Sequence, residues 1–134
     1  MNSLKPFEFI VRTQQALRDA RVLSYNGKDE IVAVKLRFDK ADVYLLANPD
    51  DDTVLVLSDE PAVPDGAHWI SAPNVLLAAT GKRIQWYWRM QNNQGYWDAF
   101  QIEFAVVDPD EVPVCVQVVA IASRLSVRDV RCVG

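Results

Sequence analysis

The sequence predicts an α+β protein whose strands form antiparallel meanders. Apolar and polar residues alternate in several short segments, most clearly from Val32 to Phe38, and this period of two is typical of strands with one buried face. The connections are too short for the crossovers that parallel strands require. Helical spacing precedes each group of strands, so a helix followed by four strands is expected to occur twice.

The first half is predicted to start with a helix from Pro6 to Ala20. Its apolar residues recur at the i, i+3, i+4 spacing of a helix with one buried face. Pro6 suits the first turn, where a backbone N–H has no helical partner. Four strands are expected to follow as a meander, at residues 21–25, 32–38, 42–47 and 53–57.

The second half is predicted to repeat this order after a proline-containing linker at residues 59–72. A short helix is expected from Pro73 to Thr80, with Gly81 just past its end. Four further strands are expected near residues 84–91, 100–104, 114–121 and 125–130.

The two halves, residues 6–58 and 73–131, are predicted to be half-repeats within a single domain. Residues 15–25 align with residues 77–87 at a constant offset of 62. A four-stranded half buries its apolar face poorly when alone, so the halves would cover each other about a pseudo-two-fold axis. The alternative is one long curved sheet with the N-terminal helix lying across it.

The most aromatic part of the chain is a predicted hairpin, which contains three of the four tryptophans and turns at an Asn-Asn-Gln-Gly segment. Ile84, Trp86, Trp88 and Met90 occupy alternate positions on its first strand. This pattern places Trp86 and Trp88 in the core.

The opposite face of the hairpin is the candidate binding site, for a partner protein or a ligand. It is predicted to carry Tyr87, Arg89 and Trp97. Tyrosine, tryptophan and arginine are enriched among interface hot spots, so we expect a homodimer with Trp97 as its anchor. The alternative is that Tyr and Trp rings cover the sheet while their polar tips stay in water.

Charge and composition exclude several functions. The formal net charge of −4 argues against nucleic-acid binding, which needs a basic face. The longest apolar run, Val118 to Ala122, is far shorter than a membrane span, and the N-terminus lacks the pattern of a signal peptide. We therefore expect a cytoplasmic protein without a membrane partner.

Cys115 and Cys132 lack the spacing of a zinc site or a disulfide framework, and Cys115 is expected to fill the core.

No motif for catalysis or metal binding is recognised. His68 is the only histidine and has no companion residue at a fixed spacing. The acidic loop at residues 48–53 lacks the calcium-binding pattern of an EF-hand and is expected to be a solvated tip. We therefore expect no catalytic residue, no metal site and no cofactor.

The hairpin resembles small single-domain bacterial proteins that form a family of unknown function. The resemblance covers about a quarter of the chain. It implies a bacterial protein and supplies no catalytic residue. The positions that carry the resemblance are Gly81, Ile84, Trp86, Gly95, Tyr96, Asp98, Ile102 and Phe104.

Three classes of function remain open from the sequence. The favoured class is a small non-enzymatic binding or protein-interaction module that associates with itself. The second is a half-barrel that binds a small ligand in an aromatic-lined pocket between two sheets. The third, and least favoured, is a hydrolase that uses Asp residues and His68.

Overall fold

The computed structural model describes residues 2–26, 30–95, 97–106 and 108–130. Over these residues the protein is mostly antiparallel β, with a nine-stranded sheet curled into a half-barrel and little helix, which confirms the predicted pairing. The elements are α1 (Lys5–Arg12), β1 (Leu17–Ser24), β2 (Ile31–Phe38), β3 (Asp42–Asn48), β4 (Thr53–Leu57), β5 (His68–Ser71), α2 (Asn74–Leu77), β6 (Ile84–Met90), β7 (Ala99–Phe104), β8 (Val114–Ile121) and β9 (Arg124–Asp129).

The two meanders are joined into one sheet. The strands lie in the order β4-β3-β2-β9-β8-β7-β6, and β1 pairs with both β2 and β5. Ile31 of β2 pairs with Leu125 of β9, which links the halves, and a bridge between Ala16 and Arg83 brings the start of β1 to the start of β6. The structure therefore has the single curved sheet that the sequence left as the alternative. The internal duplication stays a prediction.

Helix α1 fills the space that the curled sheet encloses. Phe7 and Ile10 have no exposed surface, and the Phe7 ring centroid lies 4.7 Å from that of Phe100. Pro6 lies in the first turn of α1, as predicted. The core takes residues from both halves of the chain, among them Phe7, Ile10, Leu36, Leu45, Phe100, Ile102 and Phe104.

The predicted first helix was too long. It ends at Arg12, because Gln14 adopts a φ of +54°, outside the helical region. Gln15 is buried, and its side-chain oxygen accepts the backbone N–H of Lys40 at 2.7 Å. The following residues pair with β2 as an eight-residue strand that starts at Leu17, so the helical spacing of Leu17 was coincidental.

The predicted linker contains a strand. His68–Ser71 pairs with β1 as β5, with Trp69 opposite Leu23. The helix predicted from Pro73 to Thr80 is a single turn, Asn74–Leu77. The connection between the strands predicted at residues 21–25 and 32–38 includes residues 27–29, which lie outside the described residues. Neither described helix is long and apolar enough to cross a membrane.

Candidate functional site

The orientation of strand β6 differs from the prediction because its register shifts by one residue. Ile84 lies opposite Phe104 and faces the core, but Trp86 lies opposite Glu103. Without the shift, Trp86 would lie opposite Ile102. A one-residue irregularity of this kind turns all later side chains of a strand to the other face.

The shift creates an exposed aromatic surface. Trp86, Trp88 and Met90 point away from the core and are 56%, 42% and 37% exposed. The prediction that Trp86 and Trp88 belong to the core was therefore wrong. We call these three residues the tryptophan strip. Large apolar side chains grouped on one face are a feature of interaction sites.

Of the three predicted site residues, Tyr87 and Arg89 occupy the other face of β6, and Trp97 lies between β6 and β7. Tyr87 is half-buried, with its ring centroid 5.5 Å from that of Phe7. Burial raises its pKa, and the negative charge of Glu8 raises it further. Tyr87 thus belongs to the packing between α1 and the sheet.

The structure brings Arg89 and Trp97 together. The Arg89 guanidinium carbon lies 5.7 Å from the centre of the Trp97 ring, and one guanidinium nitrogen donates to Asn2 Oδ1 at 3.2 Å. Trp97 is 41% exposed, while Arg89 is half-buried. The two residues form a cation–π pair. The interface role of Tyr87, Arg89 and Trp97 stays a prediction.

Strand β6 is an open edge of the sheet. Within the described ranges its only strand partner is β7, and the Ala16 bridge reaches no further than Arg83. The edge at β4 is covered instead, since Ser3 donates to the Val56 carbonyl at 3.0 Å and the Val56 N–H donates to Asn2 at 2.9 Å. An uncovered edge strand presents unpaired backbone groups on which another strand can pair.

The surroundings of the strip are polar but weakly charged. Gln117 donates to Met90 Sδ and to Gln101 Oε1, each at 3.3 Å. Glu103 lies opposite Trp86, and Gln101 opposite Trp88. The strip therefore has an apolar centre with an amide border, an arrangement that suits contact with another protein surface.

The other sequence candidates show no catalytic arrangement. His68 is exposed on β5, opposite Ser24. In the acidic loop, Asp52 accepts the Ser123 N–H at 2.7 Å, and Asp51 accepts the hydroxyl of Thr53 at 2.7 Å. Across the part of the chain that the structure describes, no group of three His, Cys, Asp or Glu residues is placed to hold a metal ion. Pro49, Asp50 and Asp51 are exposed at this tip, as expected, and the bond between Ser123 and Asp52 joins the tip to the turn between β8 and β9.

The cleft beside Lys82 and Glu111 does not match the predicted aromatic pocket. The interior between the curled strands is filled by Phe7, Phe100 and Phe104. A surface cleft of about 360 Å³ lies near the ion pair of Lys82 and Glu111, whose charged atoms are 2.7 Å apart. Its lining contains no aromatic ring. Buried Cys115 lies elsewhere in the sheet, and Cys132 is outside the described residues.

The sequence predicts the hairpin but exchanges its two faces. The grouping of three tryptophans was a usable signal for a special surface. The register shift next to Gln85 has no marker in the sequence, since it is neither a glycine nor a proline position. For this reason Trp86, Trp88 and Met90 were assigned to the core.

The fold and the strip define a small antiparallel β protein with a helix inside its curled sheet and an open aromatic edge. The chain belongs to a family of unknown function, DUF6334, whose model matches residues 1–134. Comparison with curated proteins and with solved structures gives no match. The family extends the resemblance seen in the hairpin to the whole chain.

Proposed function

We propose that this protein is a small non-enzymatic interaction module that forms a homodimer through the edge of β6 and the tryptophan strip. The observation that carries the proposal is the coincidence of two exposed tryptophans with an unpaired edge strand. Either feature alone is common on protein surfaces. Together they offer backbone hydrogen bonds and an apolar anchor to the same partner.

The geometry of β6 suits pairing with its own copy. Two β6 strands related by a two-fold axis run antiparallel, which is the pairing used throughout this sheet. A two-fold axis near Tyr87 would place Trp86 of each copy opposite Trp88 of the other copy. Such aromatic cross-strand pairs contribute about 0.2–1 kcal/mol each relative to alanine pairs.

The strip is large enough to form the centre of an interface but not the whole of it. An aromatic side chain buries about 150–250 Å² when fully covered, so two tryptophans that are about half exposed offer roughly 200 Å² together. A standard interface buries about 800 Å² on each partner. The edge backbone and the amide border would supply the remaining contact.

The net charge predicts how salt affects the stability of this dimer. Each copy carries −4, so two copies repel each other weakly at long range. Because salt screens this repulsion and the strip contains no ion pair, the dimer should be as stable or more stable at high salt. An interface held by surface ion pairs would respond in the opposite direction.

The test is sedimentation velocity over a range of concentrations for the wild type, Trp88→Ala and Trp97→Ala. We expect the wild type to sediment with twice the monomer mass at high concentration. Loss of a hot-spot tryptophan costs about 2 kcal/mol or more, so Trp88→Ala should weaken the dimer about thirtyfold or more. Circular dichroism checks that each variant is folded.

Trp97→Ala is the matched control, because Trp97 is the same residue type at nearly the same exposure, 41% against 42% for Trp88. It should dimerise like the wild type. A wild type that stays monomeric at the highest concentration refutes the proposal. A dimer that depends on Trp97 and not on Trp88 places the interface at Arg89 and Trp97 instead.

A further inference from the structure

A charged cleft lies on the outer face of the first meander, away from the tryptophan strip. It has a volume of about 210 Å³ and is lined by Asp19, Arg21, Lys35, Arg37, Glu60 and Trp69. The strand residues among them alternate with core residues of β1 and β2, so their side chains point away from the enclosed core. The lining carries three cations and two carboxylates in a protein whose net charge is −4.

One pair of cations in this cleft is arranged unfavourably for the sheet itself, whereas Arg37 lies opposite Asp19 of β1 and Asp42 of β3. Arg21 lies directly opposite Lys35 in the β1–β2 register, and like charges in opposite positions destabilise a strand pair. Arg21 is compensated by Asp19, with 3.0 Å between Nε and Oδ2. Lys35 and Arg37 form no ion pair with any described residue.

The aromatic wall of the cleft has a donor without an acceptor. Trp69 Nε1 is buried and has no hydrogen-bond partner among the described residues. The indole N–H can only donate, and a buried donor without an acceptor is uncommon in native proteins. The Trp69 ring lies beside Tyr44, with centroids 6.2 Å apart, and Lys35 Nζ lies 5.7 Å from the centre of the Tyr44 ring.

We propose that this cleft binds a small organic oxyanion, with its carboxylate or phosphate group held by Lys35 and Arg37 and its organic part against Trp69. The guanidinium of Arg37 matches the geometry of either oxyanion, and Lys35 adds a second positive charge.

The size and charge of the cleft limit the ligand. A water molecule occupies about 30 Å³ in the liquid, so about 210 Å³ holds a group of roughly seven waters. This accommodates an acid group on a single small ring or short chain. Glu60, the other carboxylate of the lining, repels anions and therefore disfavours ligands with several negative charges.

The test is a titration of ¹⁵N-labelled protein with benzoate and, separately, with inorganic phosphate. The indole N–H resonance of Trp69 is identified by its loss in Trp69→Phe. We expect this resonance to shift in a saturable manner. Arg37→Gln should weaken binding about tenfold, the usual effect of losing a hydrogen bond to a charged group. Glu60→Gln should tighten it, because a repelling charge is removed.

Arg128→Gln is the control, because Arg128 is an exposed arginine on β9 that is absent from the cleft lining. It should bind the anion like the wild type. A shift that grows linearly without saturation, or an equal loss of affinity in both arginine variants, refutes the site. Weaker binding of both probes in Glu60→Gln would refute the proposed arrangement, in which Glu60 repels the anion.

This site is independent of the proposed dimer. Its residues belong to β1, β2, β5 and the loop before β5, whereas the strip lies on β6. Trp88→Ala should therefore bind benzoate as the wild type does. The two proposals can fail separately, since one is measured by mass and the other by the Trp69 resonance.

Discussion

Replacing Phe7 with alanine should destabilise the protein by about 3–5 kcal/mol, the usual cost of truncating a buried phenylalanine. Phe7 has no exposed surface, and its ring contacts the rings of Phe100 and Tyr87, with centroids 4.7 Å and 5.5 Å away. Each ring pair contributes about 0.5–1.5 kcal/mol beyond area burial. Because Phe100 and Tyr87 are held in paired strands, the cavity cannot close easily.

Phe9→Ala provides a matched control on the same helix. Phe9 is 41% exposed, and its contact is a cation–π interaction with Arg12 at 5.8 Å, which contributes about 0.5–1 kcal/mol at an exposed site. Both substitutions change the helix propensity by the same amount. The difference between the two variants therefore measures burial, and it should exceed about 2 kcal/mol.

The assay is urea unfolding followed by far-ultraviolet circular dichroism, with the midpoint and slope fitted for each variant. Small domains are stable by about 5–15 kcal/mol. If the wild type lies at the low end of this range, Phe7→Ala is partly unfolded without urea. Phe7→Leu, which retains most of the apolar volume, then supplies an intermediate value. Equal losses in the Phe7 and Phe9 variants, within about 1 kcal/mol, would refute the placement of α1 inside the curled sheet.

Two further predictions concern charged residues that hold turns in place. The backbone N–H of Ala16 and the Arg18 side chain lower the pKa of Asp39, so the ionised carboxylate stabilises the fold above the unfolded-state pKa of about 3.9, and this is lost as pH falls through the lowered pKa. Asp39→Asn should thus be less stable than the wild type in urea unfolding at pH 7. The difference in free energy of unfolding between the two proteins should shrink below about pH 4. A difference that is constant with pH contradicts this. Asp52 accepts the Ser123 N–H at 2.7 Å and has a φ of +53°, so Asp52→Ala should lose about 1–3 kcal/mol in thermal unfolding. Asp50 is exposed, so the free energy of unfolding of Asp50→Ala should stay within about 0.5 kcal/mol of the wild type. Equal losses in Asp50→Ala and Asp52→Ala would argue against the contact between the hairpin tips.

The sequence was sufficient to predict strands that pair with their neighbours along the chain. Strand β4 has the predicted bounds, Thr53–Leu57, and β2 differs from the predicted strand by one residue. In β2 apolar and polar residues alternate from Val34 to Phe38, and in β4 buried and half-buried positions alternate. Each strand pairs with the neighbour that precedes or follows it. Local alternation and a short turn are sufficient to define such a hairpin.

Tertiary contacts decided where the first helix ends and where the linker gains a strand. Gln15 lies outside the helix, and its side chain accepts the backbone N–H of Lys40, 25 residues later. Strand β5 forms by pairing with β1. Neither partner is adjacent in the sequence. Helical periodicity could therefore not distinguish Leu17 in a helix from Leu17 in a strand.

The sequence by itself determined that the aromatic hairpin has two different faces, because its side chains alternate in character. Only the tertiary structure decided which face is buried. The register shift after Ile84 turns Trp86 outward, and Phe7 packs against Tyr87 from 80 residues away in the chain. Alternating side chains show that the two faces of a strand differ in character, whereas burial depends on which distant element covers one of those faces.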